Sequence, residues 1–251
     1  MPTKLKTRLS APEPSDVTLD LRLESGDVAR VALSRAEPAM LDAAVPWRTF
    51  RMYYGQPHYS GTYWAATETD HVIYESRLEL CRLLLADFDC NVSHIVAQPF
   101  LMRARVDGVR RRHIPDYFLR AGAESIVVDV KPKNKLDDPK VVETFAWVRQ
   151  AVESKGWRFE VASEPPPVLM ENVRFLAGYR RARYVSAPAL KELRDLKLHG
   201  ATFGDALRRV QASPLPLARA ALLHMLWSHE LSTDLNAALT DRSVLTVRTR
   251  S

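Results

Sequence analysis

The fold of this 251-residue chain is decided by two stretches, Arg112-His113-Ile114-Pro115-Asp116-Tyr117-Phe118-Leu119 and Ile126-Val127-Val128-Asp129-Val130-Lys131. In the first, an acid follows a proline at the start of an apolar segment. The second is a nearly all-β-branched strand that contains Asp129 and ends in Lys131. Burying an unpaired acid or amine in a strand is costly, and alternation places Asp129 and Lys131 on one face. Two carboxylates and an ammonium at neighbouring strand ends predict a site for a divalent cation and a negatively charged substrate.

The composition is that of a globular protein with a basic surface. Hydrophobic residues make up 46% of the chain, which argues against general disorder, and the formal net charge is +6. This charge favours a polyanionic partner without establishing one. Five arginines lie between Arg103 and Arg112, and they suit either a solvated hairpin tip or a phosphate-binding surface.

The location is predicted from two features of the sequence. Cys81 and Cys90 match no metal-binding or disulfide pattern, and this favours the cytoplasm. No apolar stretch reaches the length of a bilayer span, and the N-terminus lacks the apolar core of a signal peptide. We therefore expect a cytoplasmic protein with no membrane partner.

The order of helical and strand patterns predicts an α/β fold with a mixed sheet flanked by helices. A hairpin is expected over 17–33 and a helix over 70–88, with Glu75 and Glu79 on one helical face. The remaining predicted core elements are a strand over 94–106, a return strand over 109–119 after the turn Asp107-Gly108, a strand over 125–130, a helix over 139–154, a strand over 157–162 and a helix over 168–179.

Three regions are predicted along the chain. Residues 1–45 form an N-terminal extension, and 46–180 form the α/β core, beginning with an aromatic-rich stretch over 47–64. Residues 185–251 read as a smaller, mostly helical module with helices over 189–198, 202–211 and 217–228 and a β-prone tail over 243–247. Helices followed by a strand pair are typical of a winged-helix-like module.

The candidate site combines four side chains. Asp116 and Asp129 are thirteen residues apart, which leaves room for one turn between adjacent antiparallel strands. Glu75 is the candidate third carboxylate, and Lys131 is placed to orient a water or to stabilise developing negative charge. Mg²⁺ takes oxygen ligands and keeps several waters, so two or three carboxylates suffice. The alternative is a structural ion pair at a strand edge.

These motifs, in this order, resemble those of the TnsA family, endonuclease subunits of heteromeric transposases within the PD-(D/E)xK nuclease superfamily. The resemblance covers roughly residues 47–180. It is carried by four segments: Tyr74-Glu75-Ser76-Arg77-Leu78-Glu79, Ile95-Val96-Ala97-Gln98-Pro99-Phe100, His113-Ile114-Pro115-Asp116-Tyr117 and Val128-Asp129-Val130-Lys131. Asp129 departs from the family pattern, which often has Glu or Gln there, and a shorter acid leaves the metal count open.

The resemblance implies a restriction-endonuclease-like fold and a Mg²⁺-dependent DNA endonuclease, with Mn²⁺ as an alternative ion. Such a subunit cuts double-stranded DNA at transposon ends together with a transposase subunit and an ATPase regulator. Carried over by position, Glu75, Asp116 and Asp129 are the metal ligands, and Lys131 is the catalytic lysine.

Further residues have weaker assignments. Gln98 and Glu79 are candidates to support the ligands, although Glu79 reads more simply as a solvated helix residue or a partner of Arg82. His113 is expected to point away from the face of Asp116 and to be structural or phosphate-facing. The candidates for DNA-backbone contact are Arg110, Arg111, Arg112, Lys133 and Lys135.

Two other functions fit the same residues. One is a stand-alone restriction or repair nuclease of the PD-(D/E)xK type, which needs no partner. The other is a catalytically inactive DNA-binding or scaffold protein that keeps the nuclease fold.

Overall fold

A computed structural model describes residues 14–48 and 59–247 of the chain. The strands are β1 (Pro14–Arg22), β2 (Val28–Ala32), β3 (Gly61–Ala65), β4 (Asp70–Tyr74), β5 (Val92–Ala97), β6 (Leu101–Val106), β7 (Val109–His113), β8 (Tyr117–Ala121), β9 (Glu124–Val130), β10 (Arg158–Ala162), β11 (Leu231–Ser232) and β12 (Thr246–Val247). The α-helices are α1 (Pro38–Asp42), α2 (Arg77–Phe88), α3 (Pro139–Ser154), α4 (Pro167–Leu176), α5 (Ala187–Asp195), α6 (Phe203–Arg209) and α7 (Leu215–Trp227). The predicted α/β class is confirmed. Parts of the predicted N-terminal extension (1–13) and aromatic stretch (49–58) lie outside the described residues.

The central sheet has four strands in the order β10-β9-β8-β5. Strands β5, β8 and β9 are antiparallel neighbours, whereas β10 runs parallel to β9 and is reached through α3. A parallel pair needs a crossover of this kind, and α3 begins at Pro139, as predicted, with Asp138 accepting a hydrogen bond from the N–H of Lys140. The sheet is therefore mixed and places the ends of β8 and β9 side by side.

A second sheet has the order β2-β1-β6-β7. The predicted hairpin over 17–33 is present as β1 and β2, and β1 also pairs with β6. The predicted turn at Asp107-Gly108 connects β6 to β7, and both residues have positive φ, at 50° and 78°. Such a turn requires this left-handed backbone, which Asp and Gly tolerate.

Two predicted long strands are each divided between the two sheets. The stretch 94–106 becomes β5 and β6, separated by Gln98-Pro99-Phe100, and the stretch 109–119 becomes β7 and β8, separated by Ile114-Pro115-Asp116. The predictions of single strands were wrong because each stretch contains a proline, which lacks the N–H needed to continue a ladder. The predicted antiparallel pairing is correct, since β6 pairs with β7 and β5 pairs with β8.

The predicted helix over 70–88 was also wrong in its first part. Asp70–Tyr74 is strand β4, paired with β3, and the helix begins only at Arg77. Ser76 accepts a hydrogen bond from the N–H of Glu79, and this Ser-x-x-Glu spacing is a capping signal. Glu75 therefore precedes the helix and does not share a helical face with Glu79.

Apolar side chains pack against both faces of the central sheet in two clusters. On one face, Phe118 and Val127 belong to a cluster that also contains Trp147 of α3 and Met102 of the second sheet. On the other face, Leu119 and Ile126 belong to a cluster shared with α2, α4 and the C-terminal helices. Alternation of side chains along β8 and β9 produces this division, because neighbouring residues of a strand point to opposite faces.

The C-terminal region contains the three predicted helices, as α5, α6 and α7, and its β-prone tail pairs as β12 with β11. Its apolar side chains are part of the cluster that also covers the central sheet. The ring of Trp227 lies 5.2 Å from the ring of Phe88 in α2, and the carbonyl of Phe88 accepts a hydrogen bond from His229 Nε2. Helix α7 is thus packed directly against the core.

Glu192 of α5 secures the loop between α6 and α7. Its carboxylate accepts backbone N–H hydrogen bonds from Gln211, Ala212 and Ser213 at 2.7–2.9 Å. These hydrogen bonds, of which the one from Ala212 has the largest effect, lower the pKa of Glu192 to about 2.

We expect Glu192→Gln to lower the melting temperature at neutral pH, because an amide oxygen cannot replace both carboxylate oxygens. A lowered pKa stabilises the fold above the unfolded value of 4.5, and that contribution is lost as the pH falls toward about 2. Thermal melts of both proteins across this range should therefore converge at the acidic end. A difference in melting temperature between the two proteins that stays constant with pH would contradict this role of the Glu192 carboxylate.

No helix within residues 14–48 and 59–247 combines the length and the apolar character needed to cross a bilayer.

Candidate active site

The two points where the chain passes from one sheet to the other meet in space. The N–H of Gln98 donates to the carbonyl of Asp116 at 2.9 Å, and the N–H of Asp116 donates to the carbonyl of Val128 at 3.0 Å. Gln98 has a φ of 47°, a left-handed conformation that is uncommon outside glycine and is often found at functional sites. This junction fixes the start of β8 against the end of β9.

A cavity of about 690 Å³ opens at this junction. All four predicted catalytic side chains line it: Glu75, Asp116, Asp129 and Lys131. The structure adds further polar side chains to its wall, namely Arg48, Glu79, Arg112 and His113. Residues that are distant in sequence therefore line one cavity.

Asp116 lies just before β8, opposite the end of β9. Its Oδ2 accepts the backbone N–H of Val130 at 2.6 Å, which orients the carboxylate. Burial, followed by the negative charges of Asp129 and Glu79, raises the pKa of Asp116 well above its usual value, while Lys131 acts in the opposite direction. The site therefore concentrates negative charge around one poorly solvated carboxylate.

Asp129 is buried in β9 and is held by a histidine that we predicted to lie elsewhere. The Nε2 atom of His113 lies 2.9 and 2.8 Å from the two carboxylate oxygens of Asp129. The prediction that His113 points away from this site was wrong, because it assumed that strand alternation continues from His113 to Asp116. The break at Ile114-Pro115-Asp116 interrupts that alternation.

Glu75 occupies the wall of the cavity between two donors. Arg48 Nη1 lies 3.2 and 3.3 Å from its carboxylate oxygens, and Gln98 Nε2 donates to Oε1 at 2.5 Å. Gln98 also accepts the N–H of Arg48 at 2.8 Å through its Oε1. The predicted supporting role of Gln98 therefore has a direct contact, whereas Arg48 had no motif by which the sequence could reveal it.

Glu79 is not the solvated helix residue that we considered. Its carboxylate accepts hydrogen bonds from the backbone N–H of Glu75 at 2.7 Å and from the hydroxyl of Ser76 at 2.9 Å. Burial raises its pKa. Arg82, its proposed partner, pairs instead with Glu160 at 2.7 Å.

Lys131 follows β9 and is fixed through its backbone. Its N–H donates to the carbonyl of Ala162, and its carbonyl accepts the hydroxyl of Ser163. The N···O distance to Ala162 is 2.8 Å and the O···O distance to Ser163 is 2.7 Å. These two hydrogen bonds fix the backbone from which the Lys131 side chain extends. Lys133 and Lys135 lie beyond it in an exposed 3₁₀ turn and are not among the residues that line the cavity.

The three consecutive arginines of β7 do not act as one group. Arg111 pairs with Glu143 of α3, whereas Arg112 lines the cavity and Arg110 does not. Arg110 and Arg111 instead line a second, separate groove.

The donor set fits a hard divalent cation. Among residues 14–48 and 59–247, no three His, Cys, Asp or Glu side chains form a ready-made metal cluster. Mg²⁺ does not require one, since proteins commonly bind it through one or two carboxylates, waters and substrate phosphates. Asp116 and Asp129 supply such a pair, and the unfavourable charge around Asp116 is what a cation would relieve.

Comparison with protein-family models and with curated proteins gives no match, so a functional assignment rests on the geometry of the site.

Proposed function

We propose that this protein is a metal-dependent DNA endonuclease subunit that resembles TnsA and cuts at transposon ends with a partner transposase. The observation that carries the proposal is the convergence of Glu75, Asp116, Asp129 and Lys131 on one cavity. They were selected from the residue pattern and the family resemblance, and they come from three separate places in the chain: the end of β4, the start of β8 and the end of β9.

The topology of the core supports a restriction-endonuclease-like assignment. Helix α2 is followed by the antiparallel strands β5, β8 and β9, then by α3 and the parallel strand β10. This corresponds to the order helix, three strands, helix, strand that the sequence pattern predicts. The second sheet is then an insertion between β5 and β8, joined by the N-terminal hairpin.

The residues have distinct proposed roles. Asp116 and Asp129 would hold Mg²⁺, with Glu75 or Glu79 completing the site through a direct or water-mediated contact. The cation would neutralise phosphate charge and lower the pKa of an attacking water. Lys131 would donate to the phosphate oxygens as negative charge develops, and His113 would keep the Asp129 carboxylate in position.

Sequence selection is proposed to come from the partner. In the C-terminal region, α7 is buried along Ala221–Trp227, and the exposed residues of its first turn include Leu215 and Leu217. The exposed arginine of α7, Arg219, is held by the protein itself: it lies 3.5 Å from Asp241 and over the ring of Phe203, and is not extended for bidentate contacts with base edges. We therefore assign the C-terminal region to contact with the transposase or its ATPase regulator.

The test is nicking of transposon-end duplexes by the purified chain, alone and with the transposase, in Mg²⁺, in Mn²⁺ and in chelator. We expect cutting only with a divalent cation and the partner present. Lys131→Ala should slow it by about a hundredfold or more, the effect of removing one group that stabilises developing charge. Lys197→Ala, which removes an exposed lysine of the C-terminal region, is the charge-matched control.

The other outcomes identify the alternatives. Robust cutting by the isolated chain would favour a stand-alone restriction or repair nuclease. Absence of Mg²⁺ or Mn²⁺ binding in calorimetry, together with intact DNA affinity, would favour an inactive DNA-binding or scaffold protein. Cutting that is unchanged in Lys131→Ala would reject the site.

A further inference from the structure

The outer face of the second sheet is lined by arginines from two separate parts of the chain. Strand register places Arg103 opposite Arg112 and Arg105 opposite Arg110 on β6 and β7. These side chains share a face, because the intervening residues of β6, such as Met102 and Ala104, enter the core. The N-terminal hairpin contributes a fifth guanidinium to that face. We call this surface, formed by Arg30, Arg103, Arg105, Arg110 and Arg112, the arginine face.

The N-terminal hairpin is joined to this face by one buried acid. Asp20 of β1 accepts hydrogen bonds from Arg30 at 2.5 and 3.1 Å and from Arg103 at 2.7 Å. The hydrogen bond from Arg30 is the main cause that lowers the pKa of Asp20. Asp20 therefore fixes two guanidinium groups in place, and the outer surfaces of both remain partly exposed, at 61% and 44% of the side chain.

The rest of the arginine face is not neutralised by the protein. Within the described ranges, Arg110 and Arg112 form no hydrogen bond or ion pair, and Arg105 reaches only the carbonyl of Gly108 at 3.4 Å. Like charges directly opposite one another destabilise a pair of strands, and this sheet has two such pairs. A bound polyanion would remove that repulsion.

The arginine face is continuous with the candidate active site. Arg112 lines the cavity that contains Asp116 and Asp129. A separate groove of about 360 Å³ is lined by Arg30, Arg103, Arg105, Arg110 and Arg111, with Asp16 and Ala104 also at its wall. Positive side chains therefore extend from the cavity across β7 and β6 to the N-terminal hairpin.

We propose that the arginine face binds the phosphate backbone of duplex DNA next to the bond that is cut. The identification of the polyanion as DNA rests on the proposed function. A duplex is favoured over a single strand because β1, β2, β6 and β7 place no aromatic side chain on this face, and single strands are usually held by stacking on aromatic rings. The hairpin of residues 14–32 is thus a DNA-holding element, with contacts that fix position and do not read sequence.

The experiment measures binding of the full chain to a fluorescent DNA duplex in chelator, so that affinity is separated from cleavage. The test variant is the double substitution Arg105→Gln and Arg110→Gln. The matched variant is the double substitution Arg208→Gln and Arg219→Gln, which removes the same charge from the C-terminal region, where the guanidinium groups pair with Asp205 and Asp241. All four side chains are exposed, and thermal melts verify that each variant folds.

Each lost phosphate contact lowers the slope of log affinity against log salt by about 0.9. The double variant should therefore lose about 1.8 from that slope, which corresponds to roughly two-hundredfold weaker binding at about 50 mM salt. An unchanged slope, or an equal loss in the Arg208→Gln and Arg219→Gln variant, would overturn the proposal. Equal binding of a duplex RNA or of phosphatidylserine vesicles would overturn the assignment to DNA.

The result is distinguishable from failure of the proposed function. The wild-type chain and its partner could fail to cut DNA while the salt-dependence slope of the double variant still falls as expected. In that case the arginine face binds DNA, but the proposed nuclease activity is rejected. If cutting requires Mg²⁺ and Lys131 while the slope is unchanged, the nuclease stands and the arginine face does not bind DNA.

Discussion

Asp116→Asn is expected to abolish cutting and to raise the thermal stability of the metal-free protein. The carboxylate lies near those of Asp129 and Glu79, and burial together with these charges makes its ionised form unfavourable. An amide removes that cost and still accepts the N–H of Val130 through its oxygen. The same change removes a proposed ligand, so we expect cutting to fall by at least about a thousandfold, which corresponds to about 4 kcal/mol of transition-state stabilisation.

Thermal melts with and without Mg²⁺ test both halves of this prediction. Binding to the folded state stabilises it, so Mg²⁺ should raise the melting temperature of the wild-type protein and have little effect on Asp116→Asn. Asp195→Asn removes an exposed carboxylate from α5 and serves as the control, with cutting and the Mg²⁺ response both retained. A metal-free Asp116→Asn protein that is less stable than wild type would show that the carboxylate has a structural role.

Local sequence signals predicted the parts of the fold that depend on local chemistry. Helix α3 begins at a proline after Asp138, and the turn at Asp107-Gly108 needs two positive φ angles, so both could be placed from the residues themselves. The candidate site was predicted for a related reason. An acid within a run of β-branched residues, as at Asp129, is conspicuous because leaving it buried and unpaired is costly.

The division of the long strands between two sheets could not be predicted with the same reasoning. Prolines at 99 and 115 mark the interruptions, but a strand that bends and a strand that changes sheets have the same local pattern. Only the tertiary pairing distinguishes them. The error propagated to His113, since its orientation was inferred by counting residues across the break to Asp116.

The start of α2 was a different kind of error, because its signal was present. Ser76 and Glu79 have the spacing of a capping box, and the residues before them, Asp70–Tyr74, are rich in β-branched and aromatic side chains. The leucines later in α2 fit a helical periodicity, and this led to a predicted helix that begins too early in the sequence. Arg48 left no such signal, since its role depends on the position of Glu75 in space.

Leu222→Ala is expected to destabilise the whole chain in a single unfolding transition. Leu222 of α7 is completely buried, in the cluster that also contains Leu84 of α2 and Val173 of α4. Removing a buried leucine side chain leaves a cavity and costs about 3 kcal/mol. Because the C-terminal helices share this cluster with the central sheet, the loss should lower the stability of both regions together.

Urea denaturation followed by tryptophan fluorescence and by far-ultraviolet circular dichroism measures this coupling. The two curves should coincide for wild type and for Leu222→Ala, with a lower midpoint in the variant and an unchanged slope. Leu217→Ala is the matched control, because Leu217 lies on the same helix but is 46% exposed and should change stability by less than about 0.5 kcal/mol. Two separate transitions, with only one shifted by Leu222→Ala, would show that residues 185–247 unfold independently despite the shared cluster, and that the predicted C-terminal module is an autonomous domain.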